Sequence, residues 1–188
     1  MGVDCQKSPL ESTCKIRLSF ASFGKWIPWM TDMTKLDSID RKILQVLQQD
    51  ASVQVSDLAA EVGLSTTPCW RRVQRLKEAG VITRNVMLVD PKKVNVGVTV
   101  FVSVRAKEHS QAWFDQFRAA VEVIPEVVEF YRMSGDVDYL LRVVVPDIAA
   151  YDQVYRRLIA GTQLSDVSSS FAMEELKFTT ALPLSYLP

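Results

Sequence analysis

The 188 residues carry 22 Lys and Arg against 22 Asp and Glu, a formal net charge of zero, which argues against a protein coated in nucleic acid over its whole surface. Hydrophobic residues at 48% and charged residues at 23% describe a soluble globular chain of one or two domains. Three cysteines, Cys5, Cys14 and Cys69, exclude a disulfide scaffold and are not spaced as a metal ligand set, and no run reaches the ~18 apolar residues of a membrane span, so cytoplasm is the default location.

Residues 1–32 mix an apolar patch around Phe20, Phe23, Trp26 and Trp29 with Gly24, Lys25 and Pro28. A signal peptide would have a longer clean apolar core, so this stretch is expected to be a disordered extension, or sequence upstream of a start at Met30 or Met33.

Residues 33–82 read as three helices. Asp37, with Asp40 three positions on, caps the first, whose apolar stripe is Ile39, Ile43, Val46 and Leu47. Ser56 is expected to cap the second, with Leu58, Ala59 and Val62 on its inner side and Gly63 at its end. Leu64 turns inward, Ser65 caps the third helix, and Pro68 falls in its first turn, where a missing N–H costs little. At about 100° per residue, Thr66, Cys69, Val73 and Leu76 lie on one side of that helix and Thr67, Arg71, Gln74 and Arg75 on the other. The core of the unit should be Ile43, Leu47, Leu58, Val62, Leu64, Cys69, Val73 and Leu76.

Two short helices about a Gly turn, the second basic on its outer side, make a helix-turn-helix, in which the second helix enters the major groove of double-stranded DNA. Arg pairs with guanine or phosphate, Gln pairs with adenine, and Ser or Thr at a helix start reaches base edges or phosphates. Ser65, Thr66, Thr67, Trp70, Arg71, Gln74 and Arg75 are therefore the candidate DNA-binding residues. The competing reading is a solvated charged face on an ordinary helical hairpin.

Residues 83–97 are expected to form a linker strand, VITRNVMLVDP ending it at Asp90-Pro91, followed by a turn. From 98 to 180 the chain alternates strand and helix as VTVFVSVRA, Gln111 to Val123, EVVEFYRM, VDYLLRVVV, Asp147 to Ala160 and DVSSSFAMEEL, with 181–188 left as a tail. That order is βαββαβ, the ferredoxin-like plan, and the chain as a whole is α+β, a three-helix winged helix-turn-helix domain followed by a ferredoxin-like domain. Phe114, Phe117 and Val121, with Ile148, Tyr151, Val154, Tyr155 and Leu158, should cover one side of the sheet. The other side is largely apolar as well, because in VDYLLRVVV both alternating sets are, and the simplest cover is a second copy of the chain.

LSTTPCWRRVQRLKEAGVI, followed by a βαββαβ domain containing SGDVDYLL, resembles the Lrp/AsnC family of feast/famine regulators from about Leu36 to about Thr179. The resemblance implies a transcription factor that senses a small amino acid in its second domain and assembles as dimers, often as higher assemblies of dimers. It places the effector site on Ser134, Gly135, Asp136, Val137 and Asp138, with neighbours Met133 and Tyr139 and with Ser168, Ser169 and Ser170 contributed by a second subunit. Gly135 would let backbone N–H groups approach a ligand carboxylate, and Asp136 or Asp138 would pair with an α-ammonium group. The sequence departs from many relatives at Val137, where they carry an aromatic residue, and at Gln163, where they carry Gly.

An enzyme is the main competing class. Its chemistry would rest on His109, the one histidine, between Glu108 and Ser110, or on Asp136 with Asp138; no Ser-His-Asp set or Gly-rich phosphate loop accompanies them, and no cofactor is expected. A stand-alone amino-acid sensor that modulates an enzyme without DNA is the other alternative, and the basic helix is what separates it from a regulator.

Overall fold

The computed structural model describes residues 36–160 and 163–187, and these fall into two units: the residues up to Ile82 together with those from Pro183, and Thr83–Leu182. The extension expected at 1–32 lies outside the described residues.

The first unit contains α1 (Ser38–Gln49), α2 (Val55–Val62) and α3 (Thr66–Glu78). Asp37 starts α1 with a reciprocal cap: its Oδ1 accepts from the N–H groups of Ile39 at 2.9 Å and Asp40 at 2.8 Å, and its own N–H donates to Asp40 Oδ2 at 3.1 Å. Ser56 does not cap α2. The cap residue is Gln54, whose carbonyl already accepts from Asp57 and Leu58 N–H, each at 3.0 Å, so Ser56 sits inside the first turn. Gly63 ends α2 at φ 74°, a left-handed conformation that a Cβ disfavours, while Leu64 N–H reaches back to Ala59 C=O at 2.8 Å.

Burial of one stripe per helix holds the three together. Ile43, Leu44, Leu58, Ala59, Val62, Cys69, Val73 and Leu76 form the core, with Leu47 and Leu64 packed at its margin. Leu44 belongs to it although the stripe read from the sequence passed it by. Thr66, expected on the inner side of α3, is exposed, because the core reaches only as far as Cys69 and the first turn projects beyond it. The segment read as a tail makes a short 3₁₀ turn, Leu184–Tyr186, that packs Leu184 on this core, and Arg41 Nη2 donates to Leu187 C=O at 2.9 Å.

In the second unit β1 (Val98–Ala106), α4 (Gln111–Glu122), β2 (Val127–Arg132), β3 (Tyr139–Val145), α5 (Ile148–Ile159) and β4 (Leu164–Phe171) form an antiparallel sheet of order β2-β3-β1-β4 with two helices. Val100, Val102 and Val104 of β1 and Tyr139, Leu141, Val143 and Val145 of β3 point into the helix layer, where Phe117, Val121, Val154 and Leu158 meet them. Trp113, not foreseen, is buried beside Phe117 with ring centroids 5.1 Å apart. Ile148 is exposed instead, since it directly follows the Asp147 cap and precedes the buried stripe of α5. The opposite face carries Thr99, Phe101, Ser103, Leu140, Arg142 and Val144, none of them buried.

Two strand expectations are corrected. Residues 83–97 form no strand: nothing within the described chain lies alongside to accept and donate its backbone hydrogen bonds, and Val86, Met87, Leu88 and Val89 stand exposed. The last strand starts at Leu164 and stops at Phe171, short of the Glu174-Glu175-Leu176 run, because β1 offers pairing only as far as Val100 and one further bond from Ala172 N–H to Thr99 C=O.

Candidate nucleic-acid interface and effector loop

Burial of Cys69, Val73 and Leu76 fixes the phase of α3 and so decides which side chains face outward. Ser65, Thr66, Thr67, Trp70 and Arg71 are exposed at its start, with Trp70 at 50% of its full accessible surface, and Gln74 is half-buried. Ser65 occupies the cap position without a capping hydrogen bond from its side chain, and no acidic residue lies in the first turn. Backbone N–H groups, three hydroxyls and an arginine thus converge on a positive helix end, which suits a phosphate or the edge of a base. Arg71 makes no polar contact with any other described residue.

The remaining arginines of α3 are engaged. Arg72 Nη1 lies 2.5 Å from Asp37 Oδ2 and 2.9 Å from Asp40 Oδ1, and these bonds raise the pKa of its guanidinium. Arg75 is exposed, as expected of the outward row, but its guanidinium pairs with Asp40 Oδ2. Asp40 is fully buried at 0% exposure and is the residue on which both converge. The sequence showed Asp40 only as part of a helix cap; nothing local marks it as a receptor for arginines thirty-two and thirty-five residues away. The backbone N–H of Asp40 and then Arg72 draw the Asp37 carboxyl below its ordinary range. Cys69 is buried, which pushes its thiol up and keeps it unreactive.

In the second unit the loop from Met133 to Asp138 joins β2 to β3. Gly135 has φ 126°, outside the range open to side chains with a Cβ. Met133 N–H donates to Asp138 C=O at 2.8 Å, closing the loop on itself. Asp138 also ties it to the end of β1: its N–H donates to Val104 C=O at 3.1 Å, and its Oδ2 accepts from Ala106 N–H at 2.8 Å, where the β1 register shifts. His109 Nδ1 stands 3.9 Å from Asp138 Oδ1. Ser134 and Asp136 are exposed, as is Met133, and Val137 is half-buried. Asp136 makes no polar contact with another described residue.

Tyr139 lies in the core rather than in the loop. Its ring sits 5.4 Å from that of Phe117 and 5.6 Å from that of Phe130, and burial pushes its hydroxyl pKa up. Ser169 faces the helix layer and is hydrogen-bonded to the Tyr151 hydroxyl, whereas Ser168 and Ser170 face the open side. Within one chain β4 lies two strands away from β3, so these serines do not join the loop.

Comparison with known proteins fits both halves of this description. Residues 36–83 match the winged helix-turn-helix DNA-binding family and residues 99–182 the Lrp/AsnC ligand binding domain. The chain belongs to the Lrp/AsnC family. It is a DNA-binding transcriptional regulator with a ligand-binding domain. This Lrp/AsnC chain is 50% identical over 150 residues to the glutamate uptake regulatory protein of Zymomonas mobilis, covering 80% of this chain and 92% of that one. It is 48% identical to the DNA-binding transcriptional activator DecR of Escherichia coli, over 79% of this chain and 99% of DecR. Among solved structures, an AsnC family transcriptional regulator from Agrobacterium tumefaciens matches with a TM-score of 0.79 and 63% identity, over 81% of this chain and 100% of its own. A Neisseria meningitidis transcriptional regulator solved with L-Met has a TM-score of 0.77 and 36% identity, over 81% and 99% of the two chains. A DNA-binding half in the relatives favours the regulator over a stand-alone sensor. No helix among the described residues is long and apolar enough to cross a membrane.

Proposed function

We propose that this regulator reads operator DNA in the cytoplasm with the start of α3, through Ser65, Thr66, Thr67, Trp70, Arg71 and Gln74, and that a small amino acid bound at the loop Met133–Asp138 alters that binding. The observation that carries the DNA reading is the exposed, unpaired Arg71 beside an uncapped helix end whose opposite side is locked into the core. For the effector, the support is Asp136, a carboxylate without a partner next to backbone opened by Gly135, together with the relative solved with L-Met. Asp136 would take the α-ammonium group and the loop N–H groups the carboxylate.

The working form is a homodimer, associating further into assemblies of dimers. Val86, Met87, Leu88 and Val89 on the linker, and Phe101, Leu140 and Val144 on the open sheet face, are apolar surface that a second copy would cover. Two recognition helices would then read two half-sites one helical turn apart. The test is retention, at two salt concentrations, of duplexes that the protein selects from a pool of genomic fragments, with a thermal-shift screen of the twenty amino acids. Steep loss of retention with salt and a selective amino-acid shift are expected. DNA retention that is absent or insensitive to salt would refute the regulator, and no amino-acid shift would refute the effector.

A further inference from the structure

The sequence gives α3 four cations, Arg71, Arg72, Arg75 and Lys77, against Glu78, but the structure does not offer all four to a partner. Asp40, at 0% exposure, receives Arg72 Nη1 at 2.9 Å on Oδ1, and Arg75 together with the Asp37 N–H on Oδ2. Arg72 has a second carboxylate in Asp37 at 2.5 Å. We propose that Asp40 is a positioning residue for DNA recognition: it withholds Arg72 and Arg75 from the phosphates, so that the reading done by α3 is concentrated at its first turns around Arg71. This inference rests on the DNA reading given above and assigns roles within that site.

A fully buried carboxylate is tolerated only while it is paired, and separating it from its cations leaves a charge without water or partner. Phosphates at a solvated, screened surface compete poorly with such a site for the same guanidinium groups. The clamp therefore persists when α3 meets DNA. Asp37 at the cap of α1 and Asp40 in its first turn neutralise two of the arginines, leaving Arg71 and Lys77 as the free cations of the helix among the described residues. Indiscriminate affinity for any duplex follows the number of phosphates neutralised, so withholding two arginines lowers it, while contacts at base edges near Thr66, Thr67 and Arg71 are untouched. The consequence is a wider gap between operator and unrelated DNA.

Asp40→Asn tests this in the full-length protein. The amide keeps an oxygen for the Asp37 N–H, Arg72 keeps Asp37, and the Arg75 side chain, 49% exposed, has water within reach, so no arginine is stranded. Binding to an operator duplex and to an unrelated duplex is measured by fluorescence anisotropy across 50 to 200 mM salt. For each guanidinium released, the slope of log affinity against log salt should steepen by about 0.9, an additional loss of about 3.5-fold over that fourfold salt range. The unrelated duplex should bind more tightly at low salt, and the ratio of operator to unrelated affinity should fall. A merely structural role for Asp40 would weaken both duplexes together. A second pair keeps the test decisive if D40N does not fold: on the unrelated duplex, where no base is read and a free cation meets only phosphate, Arg75→Leu should leave the salt slope unaltered, whereas Arg71→Leu should make it shallower by about 0.9. The inference is overturned if D40N leaves the slope unchanged or weakens both duplexes equally, or if Arg75→Leu flattens the slope as much as Arg71→Leu does. Wild-type protein whose DNA binding ignores salt would overturn the DNA reading itself.

Discussion

Two aspartates of the loop Met133–Asp138, two positions apart, are predicted to fail in different ways when truncated. Asp138→Ala removes the acceptor of a 2.8 Å bond from Ala106 N–H, a half-buried donor at the point where β1 changes register. A hydrogen bond to a charged group contributes about 1.5 to 3 kcal/mol, and partial access of water to Ala106 favours the lower end, about 1.5 kcal/mol. The 3.9 Å approach of His109 adds little, since that imidazole is 69% exposed. For a unit of this size the melting temperature should drop by roughly 6 to 12 °C. Asp136→Ala removes an exposed carboxylate with no partner among the described residues, so stability should stay within about 0.5 kcal/mol of the parent. If Asp136 holds the α-ammonium group, its loss should weaken amino-acid binding about ten- to a hundredfold, the worth of a charge-assisted bond. Differential scanning calorimetry and titration calorimetry on both variants separate the effects. An Asp136→Ala protein with undiminished amino-acid affinity, or an Asp138→Ala protein that melts with the parent, would refute the assignment.

Arg71→Ala should leave the fold untouched, because the exposed side chain makes no hydrogen bond or ion pair with a described residue, while operator affinity falls by about 1 to 3 kcal/mol if the guanidinium reads a base; an unchanged gel-shift titration would place the reading elsewhere. Gly63→Ala meets no neighbouring atom within 4 Å, so its cost is the left-handed backbone by itself, about 1 to 2 kcal/mol, and chemical denaturation showing full stability would contradict the αL turn. The Asp37 carboxyl titrates lower in the folded protein than its unfolded value, chiefly through the Asp40 N–H and then Arg72. Its stabilising contribution is therefore complete above the unfolded value of about 4 and is lost as pH falls through the lower folded one. Urea midpoints followed by circular dichroism should drop through that acid window, and the drop should shrink in Asp37→Asn; equal slopes in the two proteins would show that this group is not involved.

Helix and strand periodicity made most of the architecture legible. The stripe of Cys69, Val73 and Leu76 set which side of α3 is buried, and the alternation in β3 set which side chains of the sheet meet the helices, because burying one face of an element is decided by its own spacing. The Asp37 and Asp40 pair announced the start of α1 for the same local reason. Spacing could not report on groups far apart in the chain. Asp40 became a buried receptor for Arg72 and Arg75 only when α1 packed against α3, and Tyr139, expected beside the candidate effector loop, joined the core only when four aromatic rings closed around it. The linker at 83–97 shows the converse: its apolar run Val86-Met87-Leu88-Val89 has the composition of a strand, yet a strand exists only where another backbone lies beside it. What the sequence determined by itself was the five helices, the four strands of the sheet, most of their inward residues and the family. Which charges of α3 remain free, and which loop carboxylate is left for a ligand, were decided by tertiary contacts, because a charge is available only when folding has not already paired it.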